Sequence, residues 1–88
     1  MEIIYHKNFN KAYAKLPKKL MLKVDAAIDI FLCNPFDKSL KNHALKGLLL
    51  EKRSISVTGD LRILFEEYDN YFIVLLLDVG THSHVYGM

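Results

Sequence analysis

Three side chains suited to acid–base chemistry, His43, Asp60 and His82, lie in the second half of this 88-residue sequence. Histidine takes and gives protons near neutral pH, and a histidine paired with an acid is the minimum for acid–base cleavage of RNA. In that reaction one group removes the proton from a 2′-hydroxyl, whose oxygen attacks the adjacent phosphorus. A second group protonates the departing 5′-oxygen, and no metal ion is needed.

Two arginines, Arg53 and Arg62, accompany these residues. Their planar guanidinium groups are always charged and can stabilise phosphate oxygens, an effect of about 2.7–4 kcal/mol for one preorganised contact. Alternatively, both arginines form ordinary surface ion pairs across strands with Glu51, Glu66 or Glu67.

Each candidate also has a purely structural interpretation. Asp60 follows a glycine, where a turn favours aspartate, and His43 can be a surface-loop residue. On a strand, His82 and His84 would point to the same side and form part of a metal site. A third clustered ligand is missing from the sequence around them, so we predict neither a metal nor a cofactor. Tyr86 can be a packing residue that closes the sheet.

The hydrophobic pattern predicts the elements that must position these side chains. Residues 2–6 alternate like a short strand, and apolar residues at three-to-four spacing predict two helices. Asn8 or Asn10 is expected to cap the first helix, while Pro17 begins the second and Asn34-Pro35 ends it. Apolar runs from residue 48 onward predict an antiparallel β-meander with a short last strand at Val85-Tyr86. The predicted fold class is α+β: a short N-terminal strand, two helices, then the meander.

A tight turn is predicted at Asp69-Asn70, because both residues tolerate positive φ. Counting outward from that turn pairs Leu61 with Asp78. This register leaves Asp60 near Val79 and His82 just beyond, so we expect Asp60 and His82 to share one rim of the sheet.

Length and composition indicate a single domain, residues 1–88. With 51% hydrophobic residues the chain is too apolar for a disordered tail, and it is too short for two cores. The single Cys33 excludes an intramolecular disulfide framework and a cysteine-based zinc site, and we interpret it as a core thiol. Neither a membrane span of roughly 20 apolar residues nor a signal-peptide pattern is recognisable, so we expect a cytoplasmic protein with no membrane partner.

The formal net charge is only +2, but Glu2 is the one acid among six lysines in the first 24 residues. Such a basic patch suits a polyanionic partner, although an ordinary solvated face is an equally open interpretation. The lysines are Lys7, Lys11, Lys15, Lys18, Lys19 and Lys23.

Four segments from residue 42 onward together resemble the RelE superfamily of toxin–antitoxin ribonucleases, and within it the YafQ branch. The resemblance covers about half of the chain, and the front half fits by architecture, which is similar to that of compact microbial ribonucleases. The segments are Asn42-His43-Ala44-Leu45-Lys46-Gly47, Arg53-Ser54-Ile55, Gly59-Asp60-Leu61-Arg62-Ile63-Leu64-Phe65 and Gly80-Thr81-His82-Ser83-His84-Val85-Tyr86.

The resemblance implies a metal-independent endoribonuclease that cleaves messenger RNA on the ribosome and inhibits translation. It makes His43, Asp60 and His82 catalytic, with His82 as the proton donor and His43 acting with Asp60 to activate the 2′-hydroxyl. Tyr86 would help to place the nucleotide. The residues expected to contact RNA and its phosphates are Lys46, Arg53, Arg62 and Tyr86.

The sequence departs from the YafQ pattern at two positions. Ser56 stands where that branch carries a histidine, and Leu61 where it carries a tryptophan, so the rate and the codon preference of that branch are not carried over. The Gly-Asp-x-Arg motif also occurs in ParE-like members that poison DNA gyrase without cutting RNA. A ParE-like gyrase inhibitor is therefore the alternative, as is an inactive antitoxin-binding module. The joint presence of His43 and His82, which the ParE-like group generally lacks, favours RNA cleavage.

The resemblance also implies partners. A cognate antitoxin would cover the basic groove and block the site, with an acidic or amphipathic segment that folds on contact. The ribosome and messenger RNA would be the other partners, and DNA would be bound only through the antitoxin.

Overall fold

A computed structural model of the chain describes residues 1–86, so the last two residues of the predicted domain lie outside the described residues. The strands are β1 Glu2–Tyr5, β2 His43–Ala44, β3 Arg53–Ser56, β4 Leu61–Tyr68 and β5 Ile73–Thr81, and the helices are α1 Lys7–Ala14, α2 Lys18–Cys33 and α3 His82–Tyr86. One sheet contains all five strands in the order β1-β5-β4-β3-β2. Only β1, which joins β5, is paired in parallel. The predicted α+β class is confirmed.

The helices α1 and α2 form where the apolar spacing predicted them. The N-terminal cap of α1 is His6, whose Nδ1 accepts a hydrogen bond from the Asn8 N–H at 3.0 Å, so the predicted cap at Asn8 or Asn10 is wrong. Pro17 directly precedes α2, and Asn34 follows its last residue. The buried residues of α2 are Val24, Ala27 and Phe31.

The helices α1 and α2 cover one face of the sheet. The main core lies between these two helices and the sheet. Phe31 of α2 meets Phe65 of β4 edge-on, with the ring centroids 5.1 Å apart. Because side chains alternate along a strand, the residues between those of the covered face point the other way. The strand residues buried in this core are Ile55, Leu61, Ile63, Phe65, Val74, Leu76 and Val79. We call the opposite face the open face; its cross-strand neighbours include His43, Ser54, Leu64 and Asp78.

The turn between β4 and β5 is wider than predicted. Asp69, Asn70 and Tyr71 all have positive φ, and the first pair across the hairpin is Tyr68 with Ile73. The Glu67 carboxylate accepts a hydrogen bond from the Tyr71 N–H at 2.9 Å, which stabilises the longer loop.

The predicted register of this hairpin is therefore wrong. A further register shift between Leu64 and Phe65 adds to the offset from the turn. As a result Leu61 pairs with Thr81 instead of Asp78, which brings the end of β5 closer to the start of β4 than the sequence predicted.

The predicted last strand at Val85-Tyr86 is also wrong, because this segment forms the short helix α3. The Thr81 hydroxyl accepts a hydrogen bond from the His84 N–H at 3.3 Å, which caps the helix as threonine commonly does. Val85 is buried, so α3 packs down onto the protein.

Two expectations concern the surface. Cys33 is exposed at the end of α2, so its interpretation as a core thiol is wrong. A membrane-crossing helix, long and apolar enough for the purpose, is not found in residues 1–86.

Candidate active site

Helix α3 places His82 and Tyr86 beside the open face. Their rings meet edge-on, with centroids 4.2 Å apart and an interplanar angle of 82°. The Tyr86 hydroxyl donates a hydrogen bond to the Ser54 Oγ at 2.7 Å, and Ser54 is fully buried in β3. An edge contact at one end of the tyrosine and a hydrogen bond at the other restrict its orientation. Tyr86 thus links α3 to β3.

His43 reaches the same part of the open face from β2. It lies directly across from Ser54, and opposed residues of an antiparallel pair point to the same side. Its Nδ1 is 2.8 Å from the Lys41 carbonyl oxygen. Since a carbonyl oxygen only accepts, Nδ1 must carry the proton in this contact, and in the neutral ring Nε2 is then unprotonated. His43 therefore presents a free nitrogen that can take a proton.

Asp60 lies next to His82. The His82 N–H donates to the Asp60 carbonyl oxygen at 3.1 Å, so the two residues share the rim that the sequence predicted for them. His43, in contrast, pairs with Ser54, whose partner in β4 is Leu64, well inside the strand. The structure therefore groups Asp60 with His82 and does not bring it to His43.

Arg62 stabilises the turn that holds Asp60. Its guanidinium donates to the carbonyl oxygens of Thr58 at 2.8 Å, Gly59 at 3.1 Å and Leu61 at 3.2 Å. Arg62 pairs with Gly80 across β4 and β5, which places it on the open face. A fixed positive charge therefore lies near the rim.

Arg53 is not brought to this group. It precedes Ser54 in β3, so it points to the covered side of the sheet. There its Nε donates to the Asn42 Oδ1 at 2.9 Å, and its guanidinium carbon lies 5.9 Å from the centre of the Phe36 ring. Within residues 1–86 neither Arg53 nor Arg62 forms an ion pair with a glutamate.

The remaining basic residues lie outside this cluster. Lys46 is exposed in the connector between β2 and β3. Lys11 and Lys15 line a cavity of about 560 Å³ between α1 and the end of β5, and Thr81, which precedes His82, lines it too. The basic patch on α1 is therefore contiguous with the rim.

His82 and His84 do not face a common point. Two residues apart on a helix are separated by about 200°, so the two rings lie on opposite sides of α3. The His84 Nε2 is 3.1 Å from an oxygen of Asp78. The shared orientation expected for a strand is thus wrong, because the segment is helical.

Two residues that the sequence analysis did not single out contribute to this region. Ser54 joins Tyr86 to the sheet, and its position between the inward residues of β3 was the available signal. Asn42 accepts from Arg53 and donates from its Nδ2 to the Pro35 carbonyl and to the Tyr71 hydroxyl, both at 3.0 Å. It anchors the chain just before His43.

The arrangement has the elements of acid–base chemistry. One imidazole with a free Nε2 and a second imidazole next to a carboxylate-bearing residue flank the Tyr86–Ser54 bridge. All three titratable side chains are exposed, so a large polymeric substrate can reach them.

Comparison with models of protein families and with curated protein sequences gives no match. Solved structures do match. YafQ from E. coli strain BL21(DE3) has a TM-score of 0.79 at 23% identity, with 98% of each chain covered. A YoeB/ParE toxin from Agrobacterium tumefaciens has a TM-score of 0.77 at 16% identity, covering 93% of this chain and 99% of that one. YafQ in the E. coli DinJ-YafQ toxin-antitoxin complex has a TM-score of 0.76 at 23% identity, with 98% and 97% covered. The chain therefore has the RelE/YafQ-like fold.

Proposed function

We propose that this protein is the toxin of a toxin–antitoxin pair and that it cleaves messenger RNA on the ribosome. The observation that carries the proposal is the placement of His43 and His82 on either side of the Tyr86–Ser54 bridge. Two histidines with separate surroundings match the need for one proton acceptor and one proton donor. The likeness of the fold to that of a YoeB/ParE toxin and of YafQ in a toxin-antitoxin complex supports the toxin part of the proposal.

In the proposed reaction the Nε2 of His43 takes the proton of a 2′-hydroxyl, and the 2′-oxygen forms a bond to the adjacent phosphorus. The bond from phosphorus to the 5′-oxygen breaks, and protonated His82 gives its proton to that oxygen. The products are a 2′,3′-cyclic phosphate and a 5′-hydroxyl. Arg62 supplies positive charge near the phosphate, since arginine is suited to phosphate oxygens.

Asp60 acts with His82 in this proposal, which revises its expected partnership with His43. Asp60 and His82 are adjacent through their backbones, so the carboxylate belongs to the same end of the site as the proton donor. Tyr86 places the nucleotide, because its ring already contacts His82.

A cognate antitoxin is the proposed protein partner. YafQ, which has the same fold, was solved in a toxin-antitoxin complex with DinJ. The lysines of α1 and α2 favour an acidic partner segment.

The test is a translation reaction reconstituted from purified components. Addition of the protein is expected to truncate messenger RNA with 5′-hydroxyl ends, and His82→Ala is expected to lower the cleavage rate by about 10²–10⁴-fold. Glu66→Gln is the matched control, since Glu66 lies on the same face and its ion pair with Lys52 is remote from α3. Circular dichroism checks that both variants remain folded.

Intact transcripts in the presence of the wild-type protein would overturn the nuclease proposal. Parallel incubation with DNA gyrase distinguishes the ParE-like alternative, which predicts DNA breaks and unaltered RNA.

A further inference from the structure

We propose that His84 and Asp78 form a positioning pair that holds α3 and thereby directs the His82 ring. This inference rests on the proposed function for its effect on catalysis. The His84 Nε2 and the Asp78 Oδ2 are 3.1 Å apart, and the pair joins the side of α3 opposite to His82 directly to β5.

The Asp78 carboxylate is oriented by a contact of its own, independent of His84. The other oxygen of Asp78, Oδ1, accepts a hydrogen bond from the Val79 N–H at 2.8 Å. Oδ2 is therefore presented in a fixed direction, and His84 binds to an oriented partner.

Gly80 of β5 leaves the space that the His84 ring occupies. A Cβ atom placed on Gly80 would lie 2.5 Å from the Cδ2 of His84 and 3.0 Å from its Cγ. Carbon atoms do not approach so closely without moving, so the imidazole rests on the backbone of β5 where a side chain would exclude it. The glycine of the Gly80-Thr81-His82 segment is explained by this contact.

A helix as short as α3 has no stability of its own, since isolated helices of fewer than about 12 residues are marginal in water. Its position must come from contacts with the rest of the protein. Tyr86 bonds to Ser54 on one side and His84 bonds to Asp78 on the other. Two anchors on opposite sides of the helix oppose its rotation about its own axis, and that rotation would swing His82 away from the site.

The pair is partly solvated, with side chains 56% exposed for His84 and 25% for Asp78. Solvated pairs contribute little to global stability, so the effect that we assign to this one is orientation. The other charged groups that line the same cavity are Lys11 and Lys15 of α1, and Asp78 is the only acid among the lining residues. Within residues 1–86 Asp78 pairs with His84, and it forms no ion pair with either lysine.

The first experiment measures kcat and KM for RNA cleavage in His84→Ala, Asp78→Ala and the double variant. Each single variant is expected to lower kcat about tenfold with KM unchanged within about twofold, and the double variant is expected to be no worse than either. Glu66→Gln, which breaks the 3.3 Å pair with Lys52, is the control and should keep its kcat.

Gly80→Ala provides a second, independent arm. It is expected to lower kcat in the wild-type background, where the new methyl group would lie 2.5 Å from the His84 ring. In the His84→Ala background the effect is expected to be much smaller, because only the Cβ atom at 3.3 Å remains in contact. A loss of kcat of the same size in both backgrounds would contradict the conclusion that Gly80 leaves space for the His84 ring.

The third arm does not depend on catalysis. The chain has only four histidines, so their imidazole signals can be assigned by NMR. Nuclear Overhauser contacts between the His82 and Tyr86 rings are expected in the wild type and are expected to weaken in Asp78→Ala, while the denaturation midpoint stays the same. Unchanged contacts and unchanged kcat would overturn the inference, as would a loss of kcat that simply follows a loss of stability. If the wild type does not cleave RNA, the proposed function fails, and the NMR result alone decides the positioning pair.

Discussion

The two faces of the sheet are built from the same strands and do different things. In β4 the residues Ile63 and Phe65 are completely buried against the helices, while Arg62 and Glu66, which alternate with them, stay partly exposed. On the covered face the buried strand residues are apolar and contribute to the core. The open face carries single polar contacts, such as those of Tyr86 with Ser54 and of His84 with Asp78.

The difference shows how a small domain separates stability from chemistry. A protein of this size has one hydrophobic core, and alternation along a strand lets that core use one side only. Polar side chains can therefore accumulate on the other side at little cost to folding. We expect substitutions on the covered face to change the free energy of unfolding, and substitutions around the Tyr86–Ser54 bridge on the open face to change catalysis.

The strongest test of this comparison is Phe65→Ala. Phe65 is fully buried and meets Phe31 edge-on, so its truncation is expected to lower the free energy of unfolding by about 3–5 kcal/mol in a urea titration. Its neighbour on the open face supplies the control: Glu66→Ala is expected to cost less than about 1 kcal/mol. Equal losses at both positions would mean that the two faces are not distinct in stability.

Tyr86→Phe tests the opposite side of the comparison. The variant keeps the ring against His82 but removes the hydrogen bond to Ser54, and a bond of this kind corresponds to about a fivefold to tenfold change in kcat if it orients the site. Ser54→Ala should match it, and the double variant should be no slower than either. Independent, multiplying losses would show that the bridge does not act as a unit.

The lysines of α1 test whether RNA contacts extend beyond the open face. For single-stranded RNA, Lys11→Gln combined with Lys15→Gln is expected to reduce the slope of log affinity against log salt by about 1.4, since each phosphate contact contributes roughly 0.7. Lys18→Gln with Lys19→Gln is the charge-matched control, because neither residue lines the cavity beside Thr81. The same change in both pairs would indicate a diffuse electrostatic field and no local contact.

The smallest expected effect concerns Asp37, which caps the turn that delivers Leu40 to the core. Hydrogen bonds from the hydroxyl and the N–H of Ser39 lower the pKa of Asp37 below its ordinary value of 3.8. Its contribution to stability is therefore fully present above pH 3.8 and is lost as the pH falls through the lower folded-state value. Thermal unfolding of Asp37→Ala should show a slightly lower midpoint than wild type near pH 7 and a smaller difference in strong acid. A constant difference across this range would contradict the assignment.

Much of the fold follows from residue patterns that act locally. Three-to-four spacing predicted α1 and α2, and apolar runs predicted the meander, because a helix or strand must bury one side whatever its partners are. The hairpin register was wrong because Tyr71 continues a turn that residue type alone limits to Asp69-Asn70. The predicted strand at Val85-Tyr86 was wrong because the Thr81 cap and the burial of Val85 in a helix outweigh the strand preference of these two residues.

The residue types of the candidate site were predicted from the sequence, and the structure shows how they are arranged. His43, Asp60 and His82 were identified by type and by resemblance, and the rim shared by Asp60 and His82 was predicted from the meander. The orientation of Arg53 was not predicted. It depends on which residues of β3 face the helices and on the hydrogen bond to Asn42. The contact of His84 with Asp78 was not predicted either, because the two side chains meet only when residues 82–86 form a helix.

The pairing of β1 with β5 has a consequence for biosynthesis. Glu2 lies opposite Ile73, so β1 finds its partner only after β2, β3 and β4 have been made. The strand that it must join is also the one that binds β4 and carries α3. Contacts between distant parts of a chain form late in folding. A chain that stops before β5 therefore has neither the closed sheet nor the candidate site.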